Sequence, residues 1–223
     1  MLSKLFTYYS LQARKNRAKI LTSYFHIDEN TKILDLGGGD GSLLATTLSV
    51  MPKVCIADID KELLEVAQKK YGFDIMELDE SGKIPCVKNE FDIIFCNSVI
   101  EHVTVDKKDI YNIKSDSYFK KVAFERQRVF ANEIRSKCDK YYVQTPYKYF
   151  PIESHSWLPS VFILVPRPLQ IKVIKLFNKF WPKKTWPDFN LLTVKEMKTM
   201  FPEAKIVKEK SFLFTKSLIA IAN

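Results

Sequence analysis

The sequence predicts an α/β domain: a doubly wound, seven-stranded, mostly parallel sheet with helices on both faces and a proline-rich insertion after the fifth strand. Three observations predict it. Short apolar runs alternate with stretches of helical periodicity, the pattern of strands joined by right-handed crossovers. A glycine cluster, Gly37-Gly38-Gly39-Asp40-Gly41, stands between the first such run and the helix after it. Seven of the ten prolines and all three tryptophans crowd into residues 146–187 and interrupt the alternation once. The 223 residues, 46% hydrophobic and 27% charged, suit one domain with a real core and exclude a disordered or collagenous chain.

Residues 1–26 repeat Leu2, Leu5, Phe6, Tyr9, Ala13, Ile20, Leu21 and Tyr24 at helical spacing, which predicts an N-terminal helical lid. After Asp28-Glu29-Asn30, Lys32–Leu36 reads as the first strand. A helix over Ser42–Met51 carries Leu43, Leu44, Thr47, Leu48 and Met51 on one side. Val54–Asp58 is the second strand; Asp60 then caps a helix bearing Leu63, Leu64, Ala67 and Tyr71, which Gly72 ends. Phe73–Leu78 and Phe91–Cys96 are the third and fourth strands, the latter apolar as a strand covered on both faces should be. A long helix spans about 118–137, and Tyr141–Gln144 is the fifth strand. The alternation resumes with a helix over Thr193–Met200 and strands near 205–208 and 212–221. The chain is therefore expected to be a single domain over 1–223, with residues 146–190 inserted at its rim.

The formal net charge is +9, and it is concentrated. Residues 1–26 carry five basic side chains and residues 161–184 carry six, neither with a carboxylate, leaving 24 basic against 26 acidic residues elsewhere. Two local patches on a near-neutral body point to a phosphate-bearing acceptor or a membrane surface and argue against a long nucleic acid. In the insertion, Leu169, Ile171, Ile174, Phe177, Phe180 and Trp181 alternate with Lys172, Lys175 and Lys179. That pattern fits a lid helix, or an interfacial surface through residues 161–184 that meets anionic lipid. No apolar run is long enough to span a bilayer and the first residues lack a secretory h-region, so a cytoplasmic, at most membrane-peripheral, protein is expected. Cys55, Cys86, Cys96 and Cys138 form no C-x-x-C pair and read as buried reduced thiols. The histidines His26, His102 and His155 are not spaced as ligand pairs, so no metal is expected.

The chemistry is expected at Ile33–Gly41. Gly37, Gly39 and Gly41 alternate between a strand and a helix, two residues after Asp35 at the strand end. Glycine lets the chain turn sharply and a ligand approach the backbone closely. A carboxylate at this mouth would repel a pyrophosphate and suits an ammonium or sulfonium. Asp58 ends the second strand about twenty residues on, where an acid commonly meets ribose hydroxyls.

With these residues the sequence resembles the class I S-adenosylmethionine-dependent methyltransferases, of type-11-like kind, over most of residues 17–145 and the last thirty or so. The resemblance implies a Rossmann-like fold and S-adenosylmethionine as cofactor. Asp35, Gly37, Gly39 and Gly41 look like the superfamily's first motif, Asp58 like its ribose-binding acid, and Ile59 like the residue beside the adenine. Asp79 is similar to the acid that meets the adenine amino group. Asn97, opening Asn97–Val103, belongs to the cofactor-side loop after the fourth strand. No Asn-Pro-Pro-Tyr follows that strand, which argues against amino methylation of adenine or glutamine.

A methyl acceptor needs alignment, exclusion of water and, for a hydroxyl, a base. His102, after the fourth strand, and His155, after the fifth and two residues from Glu153, are the catalytic candidates. The run Thr145-Pro146…Phe150-Pro151-Ile152-Glu153…His155 resembles a branch of the type-11 methyltransferases found beside glycan-assembly enzymes. That implies O-methylation of a small-molecule, glycan or lipid-linked acceptor. An RNA methyltransferase and a cofactor-binding protein without turnover remain open.

Overall fold

In a computed structural model, which describes residues 2–153, 155–180 and 183–223, the elements follow one another as helix α1 (Leu2–Tyr24), β1 (Lys32–Leu36), α2 (Ser42–Thr47), β2 (Lys53–Asp58), α3 (Lys61–Tyr71), β3 (Asp74–Glu77), β4 (Ile93–Asn97), α4 (Asp116–Lys137), β5 (Tyr141–Pro146), α5 (Arg167–Phe180), α6 (Val194–Met200), β6 (Lys205–Ser211) and β7 (Phe214–Ala222). The sheet order is β3-β2-β1-β4-β5-β7-β6. Every pair from β3 to β5 is parallel, and β7 runs antiparallel to both β5 and β6. This is the doubly wound, seven-stranded Rossmann-like arrangement, with its order reversing between β1 and β4. The predicted side chains of Leu2, Leu5, Phe6 and Tyr9, and Trp181, lie outside the described residues.

Alternation along the strands separates two cores. Ile33, Ile56, Ile93 and Tyr142 pack on one face against Leu21 of α1, Leu44 of α2 and Leu64 and Ala67 of α3. Leu34, Ala57, Cys96 and Val143 face the other way, against Phe130, Ala131 and Ile134 of α4 and Met197 and Met200 of α6. All four cysteines are free and buried.

Two local differences from the sequence reading have physical causes. Helix α2 stops at Thr47 rather than Met51. The Thr46 and Thr47 hydroxyls donate back to the Ser42 and Leu43 carbonyls, and Leu48 is extended, with Pro52 close behind. The last two strands form a hairpin that turns at Phe212-Leu213 and carries a bulge at Glu209/Lys210, so its tip projects beyond the sheet.

The insertion is tied to the body by Arg167. Its guanidinium donates from Nε to the Ile113 carbonyl at 2.7 Å and from Nη2 to the Ile110 carbonyl at 2.8 Å. The same group stacks on the Phe119 ring, 3.6 Å from its centroid. This fastens the start of α5 to the segment ahead of α4. Ile171 and Ile174 face inward, while Leu169, Leu176 and Phe180 stay exposed beside Lys172.

Candidate functional site

Both strand ends at the order reversal open onto one cavity of about 1280 Å³. Its floor is Asp35 and the glycine turn, and one wall is Asn97 and Ser98 from the end of β4. The opposite walls come from Arg14 and Arg17 of α1, from the insertion (Phe150, His155, Trp157, Lys183) and from the β6–β7 hairpin.

The turn is built so that backbone can approach. Gly37 has φ +73°, and a Cβ there would lie 2.3 Å from Val99 Cγ2. A Cβ on Gly38 would lie 2.7 Å from Asp35 Oδ2, so the carboxyl sits directly beneath that residue. Asp35 is 2% exposed, and among the described residues its Oδ2 has no hydrogen-bond partner. Burial, with the charge of Asp58 adding to it, pushes its pKa up to about 8. Asn97 Oδ1 is likewise buried without a partner. Unmatched buried oxygens are costly unless a ligand satisfies them. Two of them in one glycine-floored cavity fit a ligand that brings a cation and hydrogen-bond donors, as the amino group and sulfonium of S-adenosylmethionine would.

The other cofactor-side candidates lie outside the walls of this cavity. Asp58 bridges the turn to α3: Oδ2 accepts from the Gly39 amide at 2.9 Å and Oδ1 from Asp60 N at 3.0 Å. Asp60 caps α3, accepting from Glu62 N and Leu63 N. Ile59 is 41% exposed. Gly41, φ +70°, starts α2 against the Phe73 ring. Asp79 is exposed, and its Oδ1 accepts from the backbone and hydroxyl of Ser81, which hold its carboxyl below the usual range. Leu63, which the sequence offered only as a helix core residue, lines the cavity instead.

His102 and His155 meet although 53 positions separate them. Their rings stand edge to face with centroids 4.7 Å apart. His155 Nδ1 is 2.8 Å from Glu153 Oε1, and its Nε2 is 3.6 Å from Glu101 Oε1. Phe189 stacks on the same ring. Burial opposes a charge on His155, but the Glu101 and Glu153 carboxylates outweigh it and hold the pKa at about 9. His102 Nδ1 is 3.2 Å from Asp188 Oδ2. Asp188 and Phe189 escaped the sequence reading, and Glu101 entered it only as part of the loop Asn97–Val103 beside His102.

Three non-glycine residues on the wall have positive φ: Ser98 at +59°, Trp157 at +58° and Phe212, in the hairpin turn, at +54°. Such conformations persist where surrounding contacts over-determine them, and they cluster at ligand sites. Ser98 is held by its hydroxyl on Gln144 Oε1, and Trp157 by its amide on the Glu153 carbonyl. Trp157 presents its ring to Lys183, whose ammonium lies 5.2 Å from the centroid. Arg17 pairs with Glu209 of β6 at 3.6 Å, joining α1 to the hairpin wall.

Residues 33–114 match the family model described as a methyltransferase domain. The chain is 27% identical over 183 residues to ribosomal RNA small subunit methyltransferase A of Borreliella afzelii, across 73% of this chain and 64% of that protein. It is 29% identical over 96 residues to an uncharacterized methyltransferase-like protein of Schizosaccharomyces pombe, across 42% of this chain and 38% of that one. The chain thus spans less than two thirds of the length of either curated relative. Among solved structures, magnesium protoporphyrin IX methyltransferase from Synechocystis PCC 6803, with bound SAH, superposes with a TM-score of 0.54 at 13% identity, covering 95% of this chain and 82% of that one. At that identity the likeness concerns the fold.

The state of Asp35 makes a pH prediction. In the free folded protein its carboxyl keeps a proton until about pH 8, whereas unfolded it ionises near 3.8. Between those values the folded state binds one proton more, so stability falls as pH rises through that window. Urea unfolding should show this decline from pH 5 to 6.5, below the range where the raised pKa of His155 adds a decline of its own, and Asp35→Asn should flatten it there. Equal slopes in the two proteins would remove the assignment.

Proposed function

We propose that this chain, whose body is a class I S-adenosylmethionine-dependent methyltransferase domain, transfers a methyl group from S-adenosylmethionine to a hydroxyl oxygen of a small-molecule, glycan or lipid-linked acceptor. The observation that carries the reading is the single cavity that joins the glycine turn to the His102–His155 pair and the insertion. At about 1280 Å³ it exceeds the roughly 300–1,000 Å³ of most ligand pockets, leaving room for an acceptor beside a cofactor. Its acceptor side mixes the rings of Phe150, Trp157, Phe212 and Phe214 with the ammonium of Lys183. That combination suits a sugar or lipid-linked group carrying phosphate.

When bound, S-adenosylmethionine supplies a methyl group already activated by its sulfonium. The chain's part is placement. Asp35 and Asn97 would hold the cofactor's amino-acid end, and Asp58, beneath Gly39, its ribose, as Gly37 and Gly39 let both approach the backbone. His102 and His155, each braced at Nδ1 by a carboxylate, would bind the acceptor oxygen. The insertion and α1 would keep water out. Proton removal in such reactions contributes typically a hundred- to ten-thousand-fold.

Calorimetry with S-adenosylmethionine should give at least a tenfold weaker affinity for Asp58→Ala than for the parent; unchanged affinity would refute the ribose role. Labelled-methyl transfer to extracts fractionated into lipid, glycan, RNA and small-molecule pools should label glycan, lipid or small-molecule acceptors. The similarity to a ribosomal RNA methyltransferase favours a second reading, RNA as acceptor. Label confined to the RNA pool, with strongly salt-dependent binding, would establish that one instead. Cofactor binding with no label in any pool would mark a binding protein without turnover.

We also propose that residues 161–184 rest against anionic membrane. The support is the outer side of α5, where Leu169, Leu176 and Phe180 remain exposed among lysines. No helix of the described residues is long and apolar enough to cross a membrane. Flotation should recover the protein with anionic vesicles and not neutral ones; equal recovery with both removes the membrane contact.

A further inference from the structure

We propose that Glu101, His102 and His155 form a binding site for one divalent first-row transition-metal ion at the acceptor end of the cavity. The three residues each offer a ligand atom, and those atoms all lie within 4.8 Å of one another. No other cluster of this kind occurs among the described residues. Bonds of about 2.1 Å place ligand atoms about 3–3.4 Å apart in four- to six-coordinate sites, so the cluster needs only a small contraction around an ion.

The second observation is what Glu101 lacks. It is 0% exposed, and neither carboxylate oxygen has a hydrogen-bond partner among the described residues. The nearest counter-charge is His155 Nε2, 3.6 Å away. A carboxylate buried this completely is normally met by donors or by a cation.

The third is the support around the histidines. Metal-binding imidazoles characteristically give their other nitrogen to a carboxylate, which fixes tautomer and ring orientation. Both rings have this: Glu153 on Nδ1 of His155 and Asp188 on Nδ1 of His102. The supports are themselves fixed. Glu153 Oε2 accepts from the amide and hydroxyl of Ser156, and the Asp188 carbonyl accepts from Thr104 Oγ1 at 2.7 Å. Gln127 Nε2 donates to the Ile100 and Asn190 carbonyls, both at 2.9 Å, and Asn190 N donates to the Glu101 carbonyl. The backbone carrying Glu101 is thus clamped from α4 and from the returning end of the insertion.

Two imidazoles and one carboxylate are donors for zinc, iron, manganese or cobalt rather than for calcium or magnesium. Since His102 and His155 both border the cavity, an ion held there would have open positions toward it and could take an acceptor oxygen. The inference deepens the acceptor-side assignment of these histidines, and ion binding is measured without turnover.

The test uses the full chain, stripped with EDTA and titrated with Zn²⁺ and Mn²⁺ by calorimetry and with Co²⁺ by visible absorption. One equivalent should bind with micromolar or tighter affinity. Glu101→Gln and His102→Asn should each weaken it at least tenfold, and Asp188→Asn by about ten- to a hundredfold. No saturable binding, or binding unchanged in Glu101→Gln, would overturn the site. His102 is 36% exposed at its side chain, so His102→Asn should stay folded and decides the matter if Glu101→Gln does not. Ion binding without methyl transfer to any acceptor would leave the site standing and remove the transfer reading. Transfer undiminished after stripping, with no ion bound, would do the reverse.

Discussion

The ends of β1 and β4 approach so closely that nothing larger than a hydrogen fits between Gly37 and Val99: a Cβ on Gly37 would stand 2.3 Å from a valine methyl. The site depends on this contact. It lets the chain leave β1 in a left-handed turn, with Gly37 donating to the Ala57 carbonyl of β2 at 2.7 Å, while the chain from β4 leaves toward the other face of the sheet. The divergence at the order reversal opens the crevice where ligands of doubly wound sheets sit. Asp35 and Asn97 reach it from the two strands because β1 and β4 are in register, Asp35 opposite Phe95 and Leu36 opposite Cys96. A bulkier residue at position 37 would move both strand ends and both unmatched oxygens together.

Burial gives those oxygens their meaning. In water a carboxyl and an amide oxygen are indifferent to one another; 2% exposed, a carboxyl keeps its proton to about pH 8 unless a cation arrives. A cationic ligand would therefore be exchanged against that proton, which couples binding to ionisation at Asp35. Asp58 contributes from behind, raising the Asp35 pKa through its charge while its own oxygens hold Gly39 and Asp60. The same acid thus fixes the shape of the turn and tunes the group beneath it.

Most of the strands were legible because a parallel strand covered on both faces is an apolar run, and the glycine turn because its residue types have few other uses. Helix α2 was less so, since the apolar spacing of Leu48 and Met51 continues past the point where two threonine hydroxyls compete for the backbone. The acceptor side was legible in its histidines and opaque in its geometry. Nothing local to Glu101 announces that it is fully buried, and nothing in the spacing of His102 and His155 announces that their rings touch. That meeting is made by contacts of long sequence separation: Gln127 with Ile100 and Asn190, and Thr104 with Asp188. Spacing along the chain is a sound guide to zinc fingers and no guide to residues that only the fold brings together, as it does Glu101, His102 and His155.

The charge excess divides along the same lines. Of the basic residues near the N-terminus, Arg17 is matched by Glu209, so it works as a strut between α1 and the hairpin, and Arg14 reaches Ser42 across the cavity mouth at 3.4 Å. In the insertion, Arg167 is spent on two carbonyls and a phenylalanine ring, and Lys175 lies over the Tyr111 ring. A share of the +9 is therefore structural cement for the two segments that roof the cavity. Of the cations that line the crevice, Lys183 lies over the Trp157 ring of the insertion, while Arg14 stands at the glycine turn beside Ser42. Charge of both signs therefore lines the site: a buried carboxyl under the glycine turn, Lys183 among aromatic rings, and the carboxyl groups of Glu153 and Asp188 behind the two histidines. His102 follows β4, whose end also carries Asn97, and His155 belongs to the insertion, so the ring pair ties the strand end to the segment that roofs the cavity.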